Sequence, residues 1–174
     1  MRVLVAYASR TDSTTGIAEE IGRALRERGT DADVHEVETI DSVAQYDGVI
    51  VGSAVRVRRW LPEAMDFLEA FRQDLASKPV AYFAVSLTGV HGTRRAITEA
   101  EHYADYPEAR VPEVRPLVKT SFNGALDYSK LMVPEQVFVR TFGVQEGDYR
   151  DWDAIRRWAA EAAQALGVEQ PTHV

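Results

Sequence analysis

The chain has 174 residues, no cysteine and a net charge of -7 from 20 basic and 27 acidic side chains. That length suits one domain with a substantial core, and the missing thiols exclude disulfides, cysteine-ligated iron–sulfur clusters and thiol nucleophiles. The acidic balance argues against a general attraction for nucleic acid or anionic lipid, and no apolar run is long enough to span a bilayer.

Met1 leads directly into the apolar, β-branched stretch Arg2–Ala8 (RVLVAYA), which leaves no cleavable leader and points to the cytoplasm. The stretch reads as a buried central strand. A turn follows, and then a helix with Ile17, Ile21 and Leu25 four apart on one face and Gly29 as its stop. Residues 32–37 alternate as a second strand suited to an edge, and residues 48–52 (GVIVG) form a short third strand. Residues 53–60 read as a loop. Pro62 then opens a helix that buries Met65, Leu68, Phe71 and Leu75. Val80–Ser86 is the fourth strand, with a polar turn at residues 87–89, and residues 94–103 suit a helix. Residues 106–112 are a proline-bracketed connection, and residues 115–122 are a fifth strand. Residues 128–143, apolar and aromatic, read as a strand-and-turn excursion packed on the sheet. A last helix over residues 152–166 turns Trp152, Ile155, Ala159, Ala162 and Leu166 inward, after which residues 168–174 are expected to fray. Trp60, Trp152 and Trp158 are all assigned to the core.

Strands alternating with helices require right-handed βαβ units, and therefore a parallel sheet covered on both faces. The expected class is α/β, a three-layer sandwich whose five-stranded sheet runs in the order 2-1-3-4-5. In that order a ligand sits outside the carboxyl ends of strands one and three. The first loop belongs to this rim. Ser9, Thr11, Ser13, Thr14 and Thr15 bring five hydroxyls to a helix N-terminus whose first N–H groups lack intrahelical partners, which is a phosphate cradle. The absence of G-x-G-x-x-G in this turn disfavours a nicotinamide enzyme. The four histidines are scattered without ligand spacing, so no metal site is expected, and His91 reads as a solvated loop residue.

The run Ser9-Arg10-Thr11-Asp12-Ser13-Thr14 resembles the S/T-x-T-G-x-T phosphate loop of flavodoxins, with Asp12 in the place of that family's glycine. Aspartate tolerates left-handed backbone, and its carboxylate is expected to cap the helix through N–H groups two or three residues on. Arg10 in this loop, Gly52-Ser53-Ala54-Val55-Arg56, the run FNGALDY at residues 122–128 and Asp151-Trp152 are together similar to the menaquinone-dependent protoporphyrinogen oxidase branch of flavodoxin-domain proteins. The likeness covers nearly the whole chain, which makes the expected fold flavodoxin-like.

The resemblance implies FMN as cofactor, with Ser9, Arg10, Thr11, Asp12, Ser13 and Thr14 on its phosphate. Ser53, Ala54, Val55, Arg56 and Val57, with Ser86, Leu87, Thr88 and Gly89, would then flank the isoalloxazine ring. It also implies an oxidoreductase of heme biosynthesis that dehydrogenates protoporphyrinogen and passes electrons to a quinone or a redox partner protein. A porphyrin substrate and a homo-oligomer are compatible with that pattern. Two other readings stay open, a soluble flavodoxin-type electron carrier without a substrate of its own and a phosphate-ligand module without flavin. Arg56, Arg58 and Arg59 depart from the acidic surroundings of carrier flavodoxins. A guanidinium near the ring favours its anionic reduced form, by roughly a few kcal/mol at short range, and so raises the potential. The same side chains suit carboxylates such as porphyrin propionates. No residue is assigned a catalytic role.

Overall fold

β1 (Arg2–Ala8) is an interior strand of the sheet, and both of its faces are apolar. Leu4, Ala6 and Ala8 enter one core, while Val3, Val5 and Tyr7 enter the core on the other side. Side chains alternate along a strand, so a continuous apolar run means cover on both faces. The computed structural model describes residues 1–168, and the tail expected to fray lies from residue 169 onward outside the described residues.

α1 (Ser13–Glu27) buries Ile17, Ile21 and Leu25 and leads to β2 (Asp31–Glu36), the edge strand. β3 (Gly48–Arg56) continues past the expected end of the strand, and β4 (Arg59–Trp60) folds back on it as a hairpin. The expected loop at residues 53–60 is therefore mostly strand. The expected single helix is two, α2 (Pro62–Ala70) and α3 (Arg72–Ala76), broken at Phe71. β5 (Val80–Ser86) lies where expected. α4 (Arg94–Glu101) stops short of residue 103, and 3-10 turns that include Pro107 carry the chain through His102–Ala109. β6 (Val118–Asn123) starts after Pro116, whose ring offers no N–H to the ladder.

The parallel strands run in the order β2-β1-β3-β5-β6. Without the short β4 this is the expected 2-1-3-4-5. α2, Leu75 of α3 and the 3-10 turns cover one face, and α1 with α6 (Trp152–Ala165) covers the other, giving the three-layer sandwich. Trp60 and Trp158 are core, Trp158 packing edge-on to Phe122 at 5.8 Å between ring centres. Trp152 is only half-buried, with the Arg150 guanidinium 4.5 Å over its ring.

After β6 the chain departs from expectation. β7 (Ala125–Leu126) pairs antiparallel with β8 (Gly147–Asp148), and the segment between them carries a helix, α5 (Val133–Thr141). Pro134 in its first turn and the Glu135 carboxylate, which accepts the Met132 N–H at 3.0 Å, start this helix. It does not pack on the sheet. Leu126, Leu131 and Val144 form a separate small core with Tyr128 and Val139, while Met132, Val133, Val137, Phe138 and Phe142 stay exposed.

Candidate functional site

The pairing register brings the carboxyl ends of four strands to one rim. Ala8 of β1 pairs with Ser53 of β3, Ala54 with Val85 of β5, and Ser86 with Asn123 of β6. The connections from β1 and β3 diverge at this rim, where open α/β sheets bind ligands. A cavity of about 610 Å³ lies there, a size usual for small-molecule and cofactor sites.

Thr11, Ser13 and Thr14 of the first loop line the cavity. Asp12 sits at φ 59°, the left-handed backbone expected of a residue in a glycine position. The Ser13 N–H bonds the Thr11 carbonyl at 2.7 Å and the Gly16 N–H bonds that of Asp12 at 3.0 Å, while the N–H groups of Thr14 and Thr15 have no acceptor among the described residues. Ser13 Oγ accepts the Ala125 N–H at 2.8 Å and keeps its own proton to donate. Ser9 Oγ is buried without a partner among the described residues, outside the lining.

Two expectations for this loop are corrected. The Asp12 carboxylate caps nothing, and instead accepts a bond from Lys130 Nζ at 2.8 Å. Capping side chains reach back from extended backbone, and the left-handed turn at Asp12 denies it that geometry. Arg10 lies outside the lining and pairs at 2.6 Å with Glu63 in the first turn of α2. Burial opposes ionisation of Glu63, yet its own backbone N–H and Arg10 hold the carboxyl below the ordinary glutamate value.

Ala54, Val55, Arg56 and Val57 line the cavity from the hairpin, and so does Arg58. Val57 at φ 48° and Arg58 at φ 61° form its two-residue turn, with both residues left-handed as a type I′ turn demands. Ser53 is fully buried and serves the hairpin, because its Oγ accepts the Leu61 N–H at 2.9 Å and donates to the Ala54 carbonyl at 2.8 Å. Arg59 is exposed and absent from the lining. From β5 and its turn, Ser86, Leu87 and Thr88 line the cavity, and Ser86 Oγ is buried with no partner among the described residues. Gly89 stands behind this wall, where a Cβ would come 2.7 Å from Asn123 Oδ1.

Three further segments complete the walls. His91, Thr93, Arg95, Glu99 and Tyr103 come from α4 and its flanks, Gly124 to Asp127 from the end of β6, and Leu131, Phe138 and Phe142 from the α5 excursion. Gly124 to Asp127 follow a rim strand, a position that marks them in the sequence as well. Arg58 Nε lies 2.8 Å from Glu99 Oε1, and the Tyr103 hydroxyl donates to the same oxygen at 2.9 Å. Burial pushes the Tyr103 phenol up and the Glu99 carboxylate adds to that, so the hydroxyl keeps its proton. Arg56 faces Glu135 of α5 at 3.3 Å.

A family profile described as "Flavodoxin domain" matches residues 4–153. The chain belongs to the flavodoxin-domain family. This flavodoxin domain is 24% identical over 196 aligned residues to a protein of Escherichia coli named protoporphyrinogen IX dehydrogenase (quinone), with 99% of each chain covered. It is also 24% identical over 180 residues to a protein of that name from Leishmania major, covering 96% of this chain and 77% of the relative. The solved structure of oxidised flavodoxin 1 from Bacillus cereus superimposes with a TM-score of 0.62 at 15% identity, over 96% of this chain and 100% of that one. The flavodoxin-like fold expected from strand–helix alternation and the resemblance over nearly the whole chain is the fold observed.

Proposed function

We propose that this flavodoxin domain holds FMN in the rim cavity and dehydrogenates a protoporphyrinogen-type tetrapyrrole, passing the electrons to a quinone or a redox partner protein. One observation carries this reading. A single cavity joins the neutral donors of the first loop to an arginine-bearing hairpin and an apolar wall. The names of the Escherichia coli and Leishmania major relatives support the substrate class.

The residues present fit FMN. The free N–H groups of Thr14 and Thr15 and the hydroxyls of Thr11, Ser13 and Thr14 suit a phosphate, which the N-terminus of a helix favours. The orphaned Ser86 Oγ gives a polar ring edge a partner. When bound, FMN supplies a two-electron acceptor. The chain supplies its surroundings: Val57, Leu131, Phe138 and Phe142 offer apolar surface for a bound ring to cover, Arg56 and Arg58 favour negative charge that develops in the cavity, and Tyr103 holds its proton toward Glu99.

The test is an absorbance spectrum after incubation with FMN and dialysis, followed by anaerobic turnover of protoporphyrinogen with a quinone acceptor. Yellow protein with turnover supports the proposal. Yellow protein without turnover makes the chain an electron carrier instead, and colourless folded protein removes the flavin assignment altogether.

A further inference from the structure

Three guanidinium groups line the cavity in a chain whose net charge is -7, and each comes from a different position. Arg56 ends β3, Arg58 stands at the hairpin tip, and Arg95 belongs to the first turn of α4. Arg56 faces Glu135 at 3.3 Å and Arg58 pairs with Glu99 at 2.8 Å, whereas Arg95 is paired with no carboxylate among the described residues. Glu99 receives more than Arg58. The Tyr103 hydroxyl donates to it at 2.9 Å, with Thr88 Oγ1 3.2 Å from that hydroxyl. One guanidinium and one phenol on a single carboxylate at a cavity wall is the donor set that a carboxylate-bearing ligand would meet there.

We propose that the cavity receives an apolar ring compound bearing carboxylates, that Arg95 takes one of them, and that Glu99 is an internal stand-in for another, displaced from Arg58 when the ligand enters. This rests on the proposed function and deepens it by assigning residues to the substrate's acidic edge. The Arg58 side chain is 73% exposed and that of Glu99 29%, so Arg58 is the partner that turns from Glu99 to the ligand, while Glu99 keeps the Tyr103 hydroxyl. Exposed pairs of this kind are weak, and exchange of one carboxylate for another costs little. Arg95 has no carboxylate partner to give up among the described residues. Leu131, Phe138, Phe142 and Val57 supply the apolar surface that a ring would cover.

The test uses the full chain with protoporphyrin IX and its dimethyl ester, titrated separately and followed by the porphyrin absorption band and by quenching of tryptophan fluorescence. The free acid is expected to bind at least tenfold more tightly than the ester. Arg95→Gln is expected to weaken the free acid about tenfold and leave the ester unchanged, whereas Glu99→Gln strengthens the free acid severalfold by removing its competitor. Circular dichroism and FMN uptake check that each variant is folded. Equal affinity for acid and ester, or an Arg95→Gln variant that binds the acid as wild type does, overturns the inference while leaving a porphyrin site in place. A wild-type chain that takes up FMN but neither porphyrin overturns the inference and the proposed substrate together.

Discussion

Lys130 Nζ lies 2.8 Å from the Asp12 carboxylate, across 118 positions of sequence, and ties the excursion after β7 to the turn that opens α1. Asp12 in turn raises the Lys130 ammonium above its ordinary value, so the cation is kept where the loop carries its one unexpected negative charge. A phosphate at the free N–H groups of Thr14 and Thr15 would meet a partly neutralised neighbour.

Asp12→Gly is therefore expected to tighten FMN binding by about two- to fivefold at low salt, the scale of a single charge near a helix N-terminus. Glycine adopts the left-handed backbone at that position freely. Lys130→Gln should act in the opposite direction, because Asp12 is then unscreened. Quenching of flavin fluorescence measures both, and the two effects should shrink together as salt is raised. Equal affinities in all three proteins would remove the pair from any role in binding.

Val57 is 85% exposed and β-branched, yet it holds φ 48°. Left-handed backbone costs such a residue about 1–2 kcal/mol, and asparagine tolerates it. Val57→Asn should raise the thermal midpoint by about 2–4 °C, while loss of an apolar cover over the cavity weakens FMN binding. A lower midpoint would show that the side chain has packing worth more than the strain.

Gly52 in β3 lies against the Phe83 ring, where an added Cβ would come 1.9 Å from Cζ. Phe83 is fully buried and cannot step aside. Gly52→Ala is expected to cost about 3 kcal/mol, read as a lower urea midpoint. Combining it with Phe83→Leu should cost less than the sum of the single changes, because the smaller side chain vacates the clash. Strict additivity would contradict the close approach.

Glu20 of α1 is bonded by Arg23 at 2.6 Å and by Arg156 of α6 at 2.8 Å. The Arg23 hydrogen bond, opposed by partial burial and helped by Arg156, holds its carboxyl below the ordinary 4.5. Between the lowered folded value and 4.5 the unfolded chain binds more protons, so stability is present above that window and is lost as pH falls through it. Glu20→Gln should be less stable near neutrality by roughly 1 kcal/mol, with a flatter decline of stability below about pH 5. Chemical denaturation across that range distinguishes the two, and an unchanged acid slope would exclude Glu20 as a contributor.

The regular elements were legible where hydrophobic period and burial agree. Arg2–Ala8 and Val80–Ser86 read as buried strands because helices cover both faces, so all their side chains but the terminal Arg2 and Ser86 are apolar or aromatic. Ser53 misled because a hydroxyl reads as a loop signal, although a local N–H and carbonyl satisfy it inside the hairpin. The hairpin turn was hidden because Val57-Arg58 carries none of the Asn or Gly that left-handed turns favour. α5 was hidden because its apolar residues face outward as well as inward, which blurs a helical stripe.

The first loop reads as a candidate anion site from residue types alone, since hydroxyls at a helix start are a local property of the chain. Alternation of strands with helices also determined the layered sheet and the rim, because handedness and short connections leave few other ways to fold. Tertiary structure alone decided which neighbours the charged side chains meet. Arg10 turned to Glu63, Asp12 to Lys130 and Arg58 to Glu99, while Arg95 lines the cavity without a carboxylate partner among the described residues. Charged groups interact through space across any separation in sequence, and periodicity records only which face a residue occupies.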